Sequence, residues 1–236
     1  MSSIAFQNVR RIGAIVSSAA AIVCLAIAGP AMADPEFDFQ VGVASEYLGK
    51  GVAKSNGEVA WSGQIEVTQG DFHASVFAST AELSQGSDSE IVTTVGWAPE
   101  AFGFEFDFAV VNRELPGAAA GVDENYWEYQ ADVSRSIGPV SARVRVNYTD
   151  DGFASTREAW WVEAQGAYKI SSSTKASVAV GNRRAHGGAD YVAWNVGVKH
   201  KLTDAIAVDV RWYDTDKHDL GENYDGRLVG ALTFAF

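Results

Sequence analysis

The chain ends on "GRLVGALTFAF", residues 226–236. Leu228, Gly230, Leu232, Phe234 and Phe236 stand two apart, with Arg227, Val229, Ala231, Thr233 and Ala235 between them. A period of two is that of a β-strand, whose side chains alternate between faces. The strand carries its apolar row to the last residue of the sequence, where termini exposed to water are usually polar and frayed. Such a row needs a solvent other than water.

The same alternation recurs. In "FDFQVGV", Phe37, Phe39, Val41 and Val43 oppose Asp38, Gln40 and Gly42. In "FEFDFAV", Phe104, Phe106, Phe108 and Val110 oppose Glu105, Asp107 and Ala109. "VSARVRVNY" and "AIAVDVRWY" repeat it with Arg143, Arg145, Asp209 and Arg211 on the polar side. Twelve such segments are expected, near 37–48, 58–68, 72–80, 89–97, 104–112, 125–134, 139–149, 158–169, 174–182, 190–201, 205–215 and 225–236. No segment has a helical period. Short connections alternate with longer, glycine-rich ones. This predicts an all-β chain, a transmembrane antiparallel up-and-down β-barrel of about twelve strands, with both termini on the side of the short turns. A water-soluble β-sandwich would also alternate, but with its aromatic face sealed inside.

Composition agrees. The chain has 7 Trp, 8 Tyr, 12 Phe and 23 Gly among 236 residues. Mean hydropathy is −0.04, because lipid-facing and lumen-facing residues average out. Trp61, Tyr126, Trp127, Tyr148, Trp160, Trp161, Tyr191, Trp194, Trp212 and Tyr213 fall near one set of strand ends. Phe72, Trp97, Phe102, Phe104, Tyr168 and Phe236 fall near the other. Two aromatic belts at two interfaces are expected of such a barrel.

Residues 1–33 read as a cleavable signal peptide: Arg10-Arg11, an apolar run from Ile12, then Ala31-Met32-Ala33 before Asp34. Cleavage removes the single cysteine, Cys24, so neither a disulfide nor thiol chemistry is expected. It also removes two arginines and no acid, which moves the formal charge from −12 to −14. A chain this acidic repels phosphate, so nucleic acid is not an expected partner. The expected location is the outer membrane of a Gram-negative cell, with its lipid as first partner.

The opening motif "SEYLGKGVAKSNGEVAWSG" resembles that of the TorF porin family. Ser45, Glu46, Tyr47, Lys50 and Gly51 are the matching positions; lysine stands where arginine is commoner, and Ala53 where a small hydroxyl residue is usual. "ENYWEYQADVS" and "ADYVAWNVGVKHKL" resemble later strands of the family. The resemblance implies an outer-membrane barrel and a pore. The terminal Phe236 likewise resembles the signal by which barrels are handed to the barrel assembly machinery.

For the lumen, Glu105, Asp107, Glu128, Asp132, Arg143, Arg145, Arg211 and Arg227 are the candidate selectivity residues. With a turn centred on Ser136-Ile137, Glu128 would lie opposite Arg145 and Gln130 opposite Arg143. In a twelve-stranded ring the fifth and sixth strands face the eleventh and twelfth, so acids on one wall would face Arg211 and Arg227 on the other. Two readings stand: a satisfied ion-pair network, or opposed charged walls that select ions. Inward acids outnumber the bases counted, which predicts weak cation preference for small hydrophilic solutes.

The rival classes are a barrel enzyme and a plugged structural or adhesion barrel. An enzyme of this kind needs a Ser–His or His–Asp pair near the outer rim. His73 and His200 fall at the opposite end, while His186 and His218 sit in loops. No metal or cofactor is expected: "DTDKHDLGEN" lacks the closing glutamate of an EF-hand, and no zinc-like spacing occurs. An oligomer is compatible with the sequence, since a lipid-facing stripe and a subunit contact have the same composition.

Overall fold

A computed structural model describes residues 34–83 and 85–236; the signal-peptide expectation for residues 1–33 lies outside them. Twelve strands form the wall: β1 (Glu36–Ala44), β2 (Ala60–Gln69), β3 (Phe72–Thr80), β4 (Ser89–Trp97), β5 (Phe104–Glu114), β6 (Asn125–Ile137), β7 (Val140–Gly152), β8 (Arg157–Lys169), β9 (Thr174–Ala185), β10 (Tyr191–Lys201), β11 (Ile206–Thr215) and β12 (Arg227–Ala235). Each pairs antiparallel with the next, and β1 pairs with β12, so the sheet closes into a barrel without free edges. Among the described residues the only helices are two 3₁₀ turns, His218–Leu220 and Glu222–Tyr224.

Closure explains the terminal sequence. Phe234 lies opposite Val41 and Leu232 opposite Val43. The Phe236 amide then donates to the Phe39 carbonyl at 2.9 Å. The terminal apolar row therefore joins the outward rows of β1 and β11. Phe37, Phe39, Val41, Val196, Val198 and Leu228 are all exposed on that outer surface. The inner surface carries the charges, the reverse of a water-soluble sandwich.

The register between β6 and β7 differs from the expected one. Asp132, not Glu128, lies opposite Arg145; Ser134 faces Arg143, and Gln130 faces Asn147. The two-residue turn is Gly138-Pro139, with Ile137 paired to Val140. Gly138 adopts φ +58°, a conformation that only glycine reaches without strain. The turn thus sits two residues beyond Ser136-Ile137, and every cross-strand partner moves with it.

The aromatic belts also divide. Trp61, Trp127, Trp160, Trp194 and Trp212 are exposed at the long-loop end, and Phe72, Trp97, Tyr168 and Phe236 at the other. Tyr126, Trp161, Tyr191 and Tyr213 instead pair with Arg113, Asn147, Arg183 and Arg227, on the inward parity of their strands. Trp161 and Tyr191 are buried there, 4% and 5% exposed. Membership of a strand end does not fix the face; parity does. Trp161 fits against the wall because it lies over Gly181, where an added Cβ would come within 2.1 Å of the indole.

Candidate functional site

A barrel of eight strands can be filled by its own side chains, whereas sixteen or more leave an open channel. Twelve is intermediate, so loops decide what remains open. Here the first long loop, residues 45–59, turns inward and carries a two-rung hairpin, Leu48–Gly49 against Val52–Ala53.

Every motif residue has a task in holding it. The Ser45 amide donates to the Gly230 carbonyl at 2.9 Å, and its Oγ accepts from the Gly230 amide at 3.1 Å, extending the closing seam between β1 and β12. Glu46 Oε1 accepts from the Gly57 amide at 2.9 Å and from Arg227 Nη1 at 2.6 Å. The Tyr47 hydroxyl donates to Glu90 at 2.8 Å. Lys50 pairs with Glu128, and its carbonyl accepts from the Tyr191 hydroxyl at 3.0 Å. Lys50 and Gly51 take φ +52° and +82°, which produces the sharp inward reversal. Gly51 leaves no room for a Cβ against Ala193 of β10.

The anchors on the wall are two carboxylates, Glu90 on β4 and Glu128 on β6, 0% and 2% exposed. Arg113 of β5 bridges them, at 2.8 Å from Glu90 and 2.6 Å from Glu128. Lys54 of the loop completes the group at 2.6 Å from Glu90. Buried charges persist only when paired and hydrogen-bonded, and here two anions meet three cations. Withdrawal from water pushes the Lys50 ammonium down to about 8, against the pull of Glu128. The Tyr47 phenol is pushed well up, by burial and then by the neighbouring Glu90, so it remains a donor.

Toward the short-turn end the lumen has a second charged zone. Arg145 chelates Asp132 at 2.5–3.0 Å, and Arg143 reaches Glu163 at 2.8 Å. Asp107 Oδ1 accepts from His73 Nε2 at 3.0 Å. Arg211 lies over Gly197, where a Cβ would meet it at 2.8 Å, and contacts Asp209, Asn195 and Ser177. Glu105 accepts from Ser134 Oγ at 2.8 Å. Asp38 faces Glu66 across β1 and β2, and Asp107 faces Asp132 across β5 and β6.

The eight candidate lumen residues therefore separate. Glu128 and Arg227 join the loop anchorage at the long-loop end. Glu105, Asp107, Asp132, Arg143, Arg145 and Arg211 lie toward the other end. Arg227 is taken by Glu46, not left to face β5 and β6. Sequence reasoning missed Arg113, Lys54 and Arg183 as lumen residues. Lys54 lies in the loop, where no parity applies, but the inward parity of Arg113 is legible: it continues Glu105, Asp107, Ala109 and Val111 in steps of two. That the two carboxylates it bridges, Glu90 and Glu128, would also hold Lys54 and Lys50 of the first loop is not.

Above the anchors lies a cavity of about 900 Å³, lined by the first loop, by Phe153–Thr156, by Gly187–Ala189 and by Leu220–Tyr224. Among the described residues no histidine is hydrogen-bonded to both a hydroxyl and a carboxylate. His200 meets Thr174, and His218 meets Asp214. No group of three or more metal-binding side chains occurs among them either.

A closed antiparallel barrel, apolar outside and charged within, is the architecture of porins, and solved porins share it. The KdgM porin superposes with a TM-score of 0.57 at 9% identity, covering 86% of this chain and 99% of that one. The NanC porin gives 0.53 at 10% identity, covering 85% and 98%. At such identities the likeness is one of fold. No curated protein matches the sequence. The chain belongs to the Gcw_chp family, described as a bacterial protein of unknown function, whose profile matches residues 28–231.

Proposed function

We propose that this chain is an outer-membrane channel through which small hydrophilic solutes and ions diffuse passively, with the first loop as its constriction. The observation that carries the reading is the opposition of the two barrel surfaces. A charge on a lipid-facing mid-strand position costs about 2–4 kcal/mol. Here the mid-strand charges lie on the inner parity and valine, leucine and aromatic rows on the outer. A wall sorted in this way fits hydrocarbon outside and water inside.

The remaining parts of the proposal follow from that placement. Residues 1–33 direct export and are cleaved, Phe236 presents the chain to the barrel assembly machinery, and the long-loop end faces the cell exterior of a Gram-negative bacterium. The TorF resemblance of residues 45–51 supports the same reading. The barrel is a channel and not an enzyme. Weak cation preference belongs to the short-turn half, where Asp38, Glu66 and Glu105 have no ion-pair partner among the described residues.

A plugged barrel is the second reading, favoured by the number of bonds that fix the first loop. Conductance of the folded protein across a planar bilayer decides between them: discrete ohmic steps support the channel, and a silent bilayer supports the plug.

A further inference from the structure

Arg183 of β9 points into the outer half of the lumen, opposite Trp161 of β8 and Tyr191 of β10. It borders the 900 Å³ cavity. Its Nη1 donates to the Ala189 carbonyl at 2.7 Å, and its Nη2 reaches Thr156 Oγ1 only at 3.5 Å. Its guanidinium lies over the Tyr191 ring, 5.8 Å from the centroid. Among the described residues no carboxylate pairs with it. By contrast, Lys50 has Glu128, Lys54 has Glu90, Arg113 has both, and Arg227 has Glu46.

A guanidinium offers five donors in a planar fork suited to a carboxylate. Here the fork is held on an aromatic face and braced by one carbonyl, with most of its donors unused. Its charge is partly withdrawn from water, and Asp190, the acid that feels it, is already bonded to Arg184 and the Ala185 amide. We infer that Arg183 is the specificity-determining residue of the outer lumen, a stopping place for the carboxylate of a small hydrophilic solute. The site takes one monocarboxylate, held by the fork and bordered by Thr156 and the Tyr191 ring. The passage role rests on the channel reading above; the binding role does not.

Two readouts separate these. Trp161 stands opposite Arg183, so sodium glucuronate titrated into the detergent-folded protein is expected to change tryptophan fluorescence saturably. Uncharged glucose is expected to leave it unchanged. In Arg183→Gln the response is lost, in Arg183→Lys it survives with affinity lowered roughly two- to fivefold, the span of a weak ion pair, and in Lys169→Gln, at the exposed short-turn end of β8, it is unchanged. Heat-modifiable gel mobility establishes that each variant is folded. In bilayers, the same titration reduces wild-type current and spares Arg183→Gln, whose reversal potential moves toward cations. A fluorescence response equal in wild type and Arg183→Gln, or absent from wild type, overturns the site. A wild type that titrates without conducting overturns the channel and leaves the site standing.

Discussion

Lys54, on a loop, donates to Glu90, on a barrel strand, at 2.6 Å. The carboxylate it reaches is fully buried and also receives Arg113 and the Tyr47 hydroxyl. Removing one partner of such a group is costly because the others stay buried and uncompensated. Glu90→Gln is expected to lower barrel stability by about 3–5 kcal/mol. Lys54→Met, which leaves Glu90 two partners, should cost less, about 1.5 kcal/mol. Urea unfolding in lipid vesicles measures both, and equal losses would count against Glu90 as the hub.

The seat of Trp161 on Gly181 predicts a steric effect inside the lumen. Gly181→Leu places a side chain where the indole now lies. Overpacking of this kind costs about 1–3 kcal/mol. The displaced indole should move toward the lumen water, with a red-shifted emission. Unchanged emission would mean that Trp161 is elsewhere.

Adjacent positions on β10 test the two faces. Val196 is 48% exposed on the outer surface, and Asn195 is inward, within reach of Arg211. Val196→Arg should lose about 2–4 kcal/mol, the cost of arginine near the bilayer midplane. Asn195→Arg should fold with far smaller loss and shift ion preference toward anions. If Val196→Arg inserts as well as wild type, the outward face does not meet lipid.

Lys50 gives a pH dependence. Its ammonium is held at about 8, below its ordinary 10.5. Above pH 8 the folded protein gives up that proton while the unfolded chain keeps it. The sign follows from the loss of one positive charge in the constriction. Preference for cations should rise from pH 7 to pH 9, with its midpoint near 8. Lys50→Arg, which does not titrate in this range, should abolish the step. A step retained in Lys50→Arg would assign the titration to another group.

Most of the architecture was legible because a barrel wall is written in a period of two. Parity alone puts Asp107, Asp132, Arg143 and Arg145 on the inner face. Their pairing is not written there, since Gly138 moves the turn by two residues and parity survives a shift of two unaltered. The aromatic residues show the same limit. Its height along the strand points Trp161 to an interface, although its parity puts it inside. The loop was the least legible element. Glu46, Tyr47, Lys50 and Gly51 read as a motif, but their partners Arg227, Glu90, Glu128 and Ala193 lie on four strands far away in sequence. Loop conformation depends on such distant contacts, and no local period encodes it.

The central claim is that water fills this barrel and that the first loop sets its width. It is tested by single-channel conductance of wild type beside the double variant Lys50→Met, Lys54→Met, which cuts two of the loop's ion pairs to β4 and β6. The account predicts discrete steps in wild type and larger or noisier steps in the variant. Silence in both, from protein shown to be folded and inserted, would contradict it.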